Sequence, residues 1–420
     1  MDFTINGMET GLLFFFLALS IHGLVVPGPR QMLRIGIGWA GLMWTRPDSC
    51  VYIAILGISA LIFSPNRTAG QSRKDLWKCF LGAGLVCTVL YLPWFLWAWS
   101  YYGSPVPHTI VAKGTNLPPV SLGEQLFNLL VFPGTLLTDV TSLNGVFTPA
   151  YTFFGGWPRS IILLCTCTAP GIVAILAWPF PQLRLPTRLF SLGFFLGNFY
   201  LTSVVTYPFP WYYTTVAVFG YLTIGLLFDQ ALDLATRMRD RCRLLRSGLC
   251  VLALLLVAGQ LFVTLCVARQ MRVQQQLIEN GLRRQIGLWL RFHARSPHDT
   301  VMLEPLGYIG YFSGLKMLDH LGLASKEVVE VRKRLGPYRE NQVFLEPKPA
   351  DWLVLRPAEI ETESLVQLGP LQENYDQVKV FDASEEIRDV GWLPGRPYLE
   401  HDQIFLIFHR KSDAIVKPPG

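Results

Sequence analysis

The sequence predicts an α-helical polytopic membrane protein of about eight membrane helices, followed by a small C-terminal α/β domain. Three observations predict it. Hydrophobic residues make up 51% of the 420 and charged residues only 16%, where soluble domains carry about a quarter. Mean hydropathy is +0.34. Apolar runs of membrane-spanning length fill the first two thirds of the chain, and short strand-like runs between charged segments fill the rest. An aromatic share of 13% with 12 Trp suits the membrane interface, where amphipathic rings settle. This composition excludes a disordered chain, a fibrous chain and an ordinary cytosolic enzyme. The net charge of +6 is small and concentrated in loops, so no nucleic-acid partner is expected.

A bilayer core takes about 20 apolar residues in a helix. Full-length spans are read at 8–26, 79–99, 159–179, 187–206, 212–231 and 248–267. Two shorter runs, 32–44 and 50–63, flank Thr45-Arg46-Pro47-Asp48 and read as helices interrupted by a polar break. Backbone irregularity at membrane depth is tolerated only inside protein or beside a water-filled cavity, so the break is a candidate site. Residues 1–267 thus form the membrane body. Lys and Arg in short loops set orientation. Arg67, Arg73, Lys74 and Lys78, then Arg184 and Arg188, then the five arginines between 237 and 246 place their loops on the cytoplasmic side. Alternation puts the loop 100–158, the turn 208–213 and everything after 268 outside. Asn66-Arg67-Thr68 has the glycosylation pattern but falls on the cytoplasmic side in this topology and is read as chance. The same alternation puts residue 1 outside, with acidic Asp2 and Glu9 and no basic leader; the expectation is that one or more spans precede Met1.

Within the outer loop an amphipathic stretch near 122–139 is expected to lie along the interface. After 268, residues 270–295 read as an Arg- and Gln-rich helix. Strands are read at 300–304, 352–355, 377–382 and 403–408, and helices at 325–335 and 361–368. Strands alternating with helices predict an α/β domain over 268–420. Its histidines, from His293 to His409, are too scattered for a metal set, and the eight cysteines read as small buried hydrophobes with no disulfide framework.

Gly36-x-Gly38-x-x-Gly41 fits a dinucleotide fingerprint, but that reading needs a preceding strand. Inside an apolar helix the same glycines let helices approach closely, and packing is the expectation. Glu9 at the outer end of the first span is either a solvated flank or a functional acid. Arg46 and Asp48 are costly in a membrane unless paired or used. They pair with each other, or Arg46 meets a phosphate, which a guanidinium matches with two parallel hydrogen bonds. Lys113 is either a solvated loop lysine or an anion ligand. Trp211, Tyr212 and Tyr213 are either an interfacial aromatic belt or the contacts of a sugar or lipid.

Several stretches together resemble the bacterial GT-C glycosyltransferases that use polyprenyl-phosphate sugars, in particular the group around the mycobacterial terminal arabinofuranosyltransferases. They are Gly7-Met8-Glu9-Thr10, Thr45-Arg46-Pro47-Asp48, Pro93-Trp94 through Tyr101-Tyr102-Gly103-Ser104-Pro105 to Ala112-Lys113, Pro210-Trp211-Tyr212-Tyr213, and Leu306 to Gly314 with Leu318-Asp319 and Gly322-Leu323. The likeness covers residues 7 to about 335. It implies a GT-C body in a bacterial cytoplasmic (inner) membrane, with the α/β domain extracytoplasmic and guiding a glycan or lipid acceptor. It implies a polyprenyl-phosphate-linked sugar as donor, with Arg46 and Lys113 on its phosphate and with Asp48, His108, Trp211, Tyr212 and Tyr213 near sugar or lipid. Inversion at the anomeric carbon follows from the family. The family has Asn where His108 stands, and its hallmark acidic residues lie ahead of the Gly-Met-Glu-Thr stretch. Glu9 is then the acid best placed to serve as base, and weak or absent transfer by this chain is expected. A divalent metal is compatible with the resemblance, though the sequence offers no complete site for one. The alternative is a non-catalytic lipid- or glycan-binding scaffold or a transporter; a transporter favours paired hydropathy repeats, which the sequence lacks.

The loop charges make topology testable. In a Cys-free background, Arg410→Cys should label with a membrane-impermeant maleimide in intact cells. Labelling only after the cytoplasmic membrane is opened would invert the arrangement.

Overall fold

The computed structural model describes residues 9–63, 72–103, 105, 121–123, 147–149, 155–157, 164–203, 210–237, 243–335, 349–361 and 368–411. The chain divides into two compact units: one of Met1–Pro105, Val120–Phe153 and Pro158–Leu265, the other of Val106–Pro119, Phe154–Trp157 and Cys266–Gly420. The amphipathic stretch expected near 122–139 lies outside the described residues except at its first two positions.

The first unit is helical: α1 Thr10–Val25, α2 Gln31–Thr45, α3 Ser49–Phe63, α4 Arg73–Tyr102, α5 Ala169–Leu176 with a π-helical lead-in Leu164–Thr168, α6 Leu185–Ser203, α7 Pro210–Arg237 and α8 Arg243–Val273. Three helical stretches, Arg73–Tyr101, Trp211–Arg237 and Leu244–His293, are long and apolar enough to cross a membrane, while Thr10–Val25, Ser49–Phe63 and Thr166–Leu176 are apolar but shorter. Within the described residues each expected span falls on helix, and three of these helical stretches are both long and apolar enough to cross a membrane.

Small residues set the packing. Gly36 lies against Val86 and Ala83 of α4, whereas Gly38 and Gly41 lie against Ser20 and Phe16 of α1. The Gly-x-Gly-x-x-Gly pattern thus seats α2 between two neighbours, with no strand before it, as packing requires and dinucleotide binding does not. On α6, Gly197 takes Val216 of α7, and the Ser191 hydroxyl donates to the Ala174 carbonyl of α5 over 2.6 Å. Helix α4 starts at a capping box in which Ser72 and Asp75 bond each other's backbone N–H. Pro93 interrupts its ladder internally, and nearby the Trp44 indole donates to the Leu90 carbonyl over 3.2 Å.

The two ends of the unit differ in chemistry. At one, Trp44, Tyr91, Trp94 and Phe95 form a chain of ring contacts. At the other, Arg184 pairs with Asp229 at 2.7 Å and with Asp233, and Arg188 lies over the Phe63 ring at 4.3 Å. Along α7, Tyr212 and the Asp229–Asp233 pair are separated by about 26–32 Å at 1.5 Å per residue, close to the thickness of a bilayer core.

In the second unit, α8 continues through a π-helical stretch, Gln274–Arg283, into α9 Arg284–His293. Then follow β1 Thr300–Leu303, α10 Leu306–Ser313, β2 Lys316–Asp319, α11 Lys326–Leu335, β3 Trp352–Leu355, α12 Pro357–Glu361, α13 Leu368–Asn374, β4 Tyr375–Asp382, α14 Ser384–Asp389, α15 Arg396–His401 and β5 Ile404–Arg410. The sheet order is β2-β1-β3-β5-β4. Strand β1 runs parallel to β2 and β3, while β5 is antiparallel to β3 and β4. Ile278, Leu282, Ile286 and Leu290 join Ile309 of α10 on one face of the sheet; Val328 and Val331 of α11 join Leu371 on the other. Strand β2, only four residues long, was not expected from the sequence. The helix expected over 361–368 is instead α12 before it and α13 at its end, with 362–367 outside the described residues.

Close approach at Gly38 gives a stability test. A Cβ there would strike the Ser20 hydroxyl and stand 3.0 Å from the Phe16 carbonyl, whereas nothing lies within 4 Å of one at Gly84. Gly38→Leu should cost about 1–3 kcal/mol or more, read as a lower Tm in detergent, and Gly84→Leu should cost little. Equal melting of both variants would show that α1 and α2 are not in contact.

Candidate functional site at the polar helix break

The break between α2 and α3 follows from Pro47. Proline disfavours helical backbone at the residue before it, and Arg46 is extended at φ −153° and ψ 123°. The chain still recovers its backbone bonds: Arg46 N–H donates to the Leu42 carbonyl, Ser49 N–H to the Arg46 carbonyl and Val51 N–H to the Asp48 carbonyl, at 2.9–3.1 Å. The turn puts the Arg46 and Asp48 side chains together. Arg46 Nε donates to Asp48 Oδ1 at 3.0 Å and Nη2 to Oδ2 at 2.8 Å, a two-pronged pair.

Two further elements close on the same guanidinium. Glu9, at the start of α1, brings Oε1 to 3.6 Å from Arg46 Nη1. Tyr212, in the first turn of α7, places its ring 4.4 Å from the guanidinium carbon, a cation–π contact. Tyr212 is held in turn: the Tyr52 hydroxyl donates to its carbonyl at 3.3 Å, and the Tyr52 ring meets Tyr200 edge-on at 6.0 Å. Exposure is graded: the Arg46 side chain is 10% exposed, Asp48 17% and Glu9 35%. Glu9 is thus the most open carboxylate of the cluster, and its contact with Arg46 is longer than a hydrogen bond.

The structure therefore brings Glu9, Arg46, Asp48 and Tyr212 together, with Trp211 stacked on Tyr212 at 6.4 Å. Tyr213 does not join them. It is 5% exposed and belongs to the helical core, because neighbours on a helix point about 100° apart. Lys113 and His108 lie outside the described residues. Tyr52 and Tyr200 were not foreseen. The i, i+4 spacing of Asp48 and Tyr52 was the available signal.

A second charged cluster, also not foreseen, lies within the C-terminal unit. Arg356, directly after β3, pairs with Asp402 at 2.5 Å, with Glu359 at 3.1 Å and with Glu304. Arg283 bridges Asp402 at 2.6 Å and Glu279 at 2.5 Å. Burial pushes the Asp402 and Glu304 carboxyls up, but neighbouring guanidiniums outweigh it, and both lie below the usual carboxylate range. Burial prevails at Glu279, which is raised, and at His320, which is lowered despite Glu304 and Asp319 nearby. Among the described residues no group of three His, Cys, Asp or Glu is placed to hold a metal ion.

A family model described as a domain of unknown function, DUF8728, matches residues 269–404. The match spans about a third of the chain and takes in every member of the Arg356 cluster. No curated protein matches the chain.

The Arg356 cluster sets a pH dependence. Asp402 and Glu304, lowered in the fold, stabilise it above their unfolded values, and that contribution is lost as pH falls through their folded ones; Glu279, raised, acts in the opposite sense. Protection factors for amide exchange at 300–303 and 352–355, referred to the intrinsic rate at each pH, should fall on acidification below about pH 4. Arg356→Ala should remove about 3–5 kcal/mol of protection at neutral pH. Unchanged exchange in the variant would mean that the ion pairs contribute nothing to this domain.

Proposed function

We propose that the chain is a membrane glycosyltransferase of GT-C type that moves a sugar from a polyprenyl-phosphate donor to an extracytoplasmic glycan or lipid acceptor. The observation that carries this reading is the Arg46 cluster: a guanidinium at a polar break between apolar helices, flanked by two carboxylates and an aromatic ring. The reading includes about eight membrane helices, a bacterial cytoplasmic membrane and an outer C-terminal domain.

The chemistry runs as follows. A lipid phosphate arriving at the break is doubly attractive to Arg46, by charge and by the match of its oxygens to the guanidinium fork. Asp48 occupies that fork, so donor binding exchanges one anion for another. Lys113 supplies a second positive charge as the bond to the anomeric carbon breaks and negative charge grows on the phosphate. Glu9, the more open of the two carboxylates, takes the proton of the attacking hydroxyl. Trp211 and Tyr212 offer faces to sugar or prenyl carbons. One observation favours a non-catalytic scaffold instead: Asp48 engages both Nε and Nη2 of Arg46 and Tyr212 covers its face, as in a closed structural ion pair.

The two readings part on kinetics. In nanodiscs with polyprenyl-phosphate sugars and glycan acceptors, Arg46→Ala and Lys113→Ala should each lower turnover about tenfold or more, the scale of one charge-assisted contact. Glu9→Gln should abolish transfer without weakening donor binding. Unchanged turnover in the Arg46→Ala and Lys113→Ala variants would show that these charges are structural, as the scaffold has it.

A further inference from the structure

An apolar groove runs between α5 and α7 of the helical unit. Its volume is about 450 Å³, and it is lined chiefly by Val173 and Leu176 of α5, Phe180, Gln182 and Leu183 of the turn into α6, and Leu227 of α7. That volume falls within the roughly 300–1,000 Å³ of small-ligand pockets. Val173, Leu176 and Phe180 are 49–57% exposed, so the groove is open and not closed over by protein. Gln182 is its one polar lining residue among the described residues.

A built polar frame lies beside that glutamine. Gln230 of α7 clips the turn with both atoms of its amide: the Arg184 N–H donates to Oε1 at 2.9 Å, and Nε2 donates to the Gln182 carbonyl at 3.0 Å. Arg184, the residue after Leu183, reaches Asp229 Oδ2 at 2.7 Å through Nη1 and Asp233 Oδ2 through Nη2. Asp229 in turn stands two residues beyond Leu227. The three charged side chains are 39–61% exposed. Asp229 and Asp233 lie at i and i+4 of one helix, where like charges repel. Among the described residues Arg184 is the one cation paired with either of them. One guanidinium therefore answers two carboxylates, and the frame has room for a second cation.

We propose that the groove holds an acyl chain of a phospholipid whose head group carries a primary ammonium, as in phosphatidylethanolamine, with the ammonium on Asp229 and Asp233 and the phosphate against Arg184. Lipid tails are as apolar as leucine, so an apolar groove on membrane helices accepts a chain from any lipid, and the head group decides between them. An anionic head such as phosphatidylglycerol meets two carboxylates and a guanidinium already engaged. The quaternary head of phosphatidylcholine has positive charge but no N–H. A primary ammonium brings three donors, and Arg184 leaves Oδ1 of each carboxylate for them. Arg184 Nε, the edge of the fork that neither carboxylate takes, suits a phosphate oxygen. The site requires only that these helices lie in a membrane, for which Trp211–Arg237 is long and apolar enough; it does not depend on sugar transfer.

The test is native mass spectrometry of the full chain, released from detergent that contains equal amounts of phosphatidylethanolamine, phosphatidylcholine and phosphatidylglycerol with the same acyl chains. Phosphatidylethanolamine should be retained about threefold over each of the others, the scale of an ion pair that water still screens. Asp229→Asn with Asp233→Asn should erase that preference. Leu176→Trp, which fills the groove from an exposed position, should lower the retention of all three lipids. Both variants should melt with the unaltered chain in detergent; if the double variant melts early, Asp229→Asn alone, which leaves Arg184 its pair with Asp233, should still reduce the preference. Equal retention of the three lipids by the unaltered chain would overturn the inference. So would a preference that survives the loss of the carboxylates, or retention indifferent to Leu176→Trp. A dimer that Leu176→Trp dissolves would give the groove to a second copy of the chain instead.

Discussion

A guanidinium surrounded by apolar helices has to be neutralised where it stands, and much of the membrane body is arranged to do that for Arg46. Leaving a buried charge unpaired costs several kcal/mol. Pairing it within the same turn costs only a helix break, which Pro47 has already made. The turn returns most of the backbone bonds it interrupts, so the break adds little cost of its own. Two more helices are then committed at the same point, since Glu9 opens α1 and Tyr212 opens α7. Tyr52 on α3 fixes Tyr212 from below. One cation thereby sets the relative height of three chain segments that are far apart in sequence. The same rule governs Arg356 in the C-terminal domain, where three carboxylates from three separate segments converge on one buried arginine.

What the sequence made legible divides along this line. The break was legible because its cause is local: a proline with two charges between apolar runs. The glycine pattern in α2 was legible because its position inside an apolar helix settled between two readings. Strand β2 was not, because Lys316-Met317-Leu318-Asp319 is too short to show alternation and becomes a strand only by pairing with β1. The Arg356 cluster was not, because only Glu279 with Arg283 and Glu359 with Arg356 are tied by local spacing, whereas Arg283, Glu304, Arg356 and Asp402 meet from distant positions with no local pattern. Trp211, Tyr212 and Tyr213 were read as a group, yet on one helix they face three ways, and Tyr213 belongs to the core.

The ends of the helical unit carry different kinds of charge. The Arg184 pairs with Asp229 and Asp233 are solvated, with side chains 39–61% exposed, and exposed pairs contribute little to stability. At the other end the Arg46 side chain is buried between Asp48, Glu9 and the Tyr212 ring, with Trp211 stacked on Tyr212. Both ends meet the need to finish apolar helices with polar groups, but only one of them removes the charge from water. Desolvated charge is costly, and the cost is recovered only through good pairing or through a ligand.

That asymmetry bears on how a buried arginine is kept compensated. An unpaired guanidinium at a membrane edge would attract any anion and would destabilise its own helices. A guanidinium locked by carboxylates on every side would bind none. Arg46 stands between these limits: Asp48 holds Nε and Nη2, while Nη1 has only the longer contact with Glu9. The Tyr212 ring lies over the guanidinium and adds to its compensation. The arrangement therefore compensates a buried positive charge within one turn and unevenly around the guanidinium.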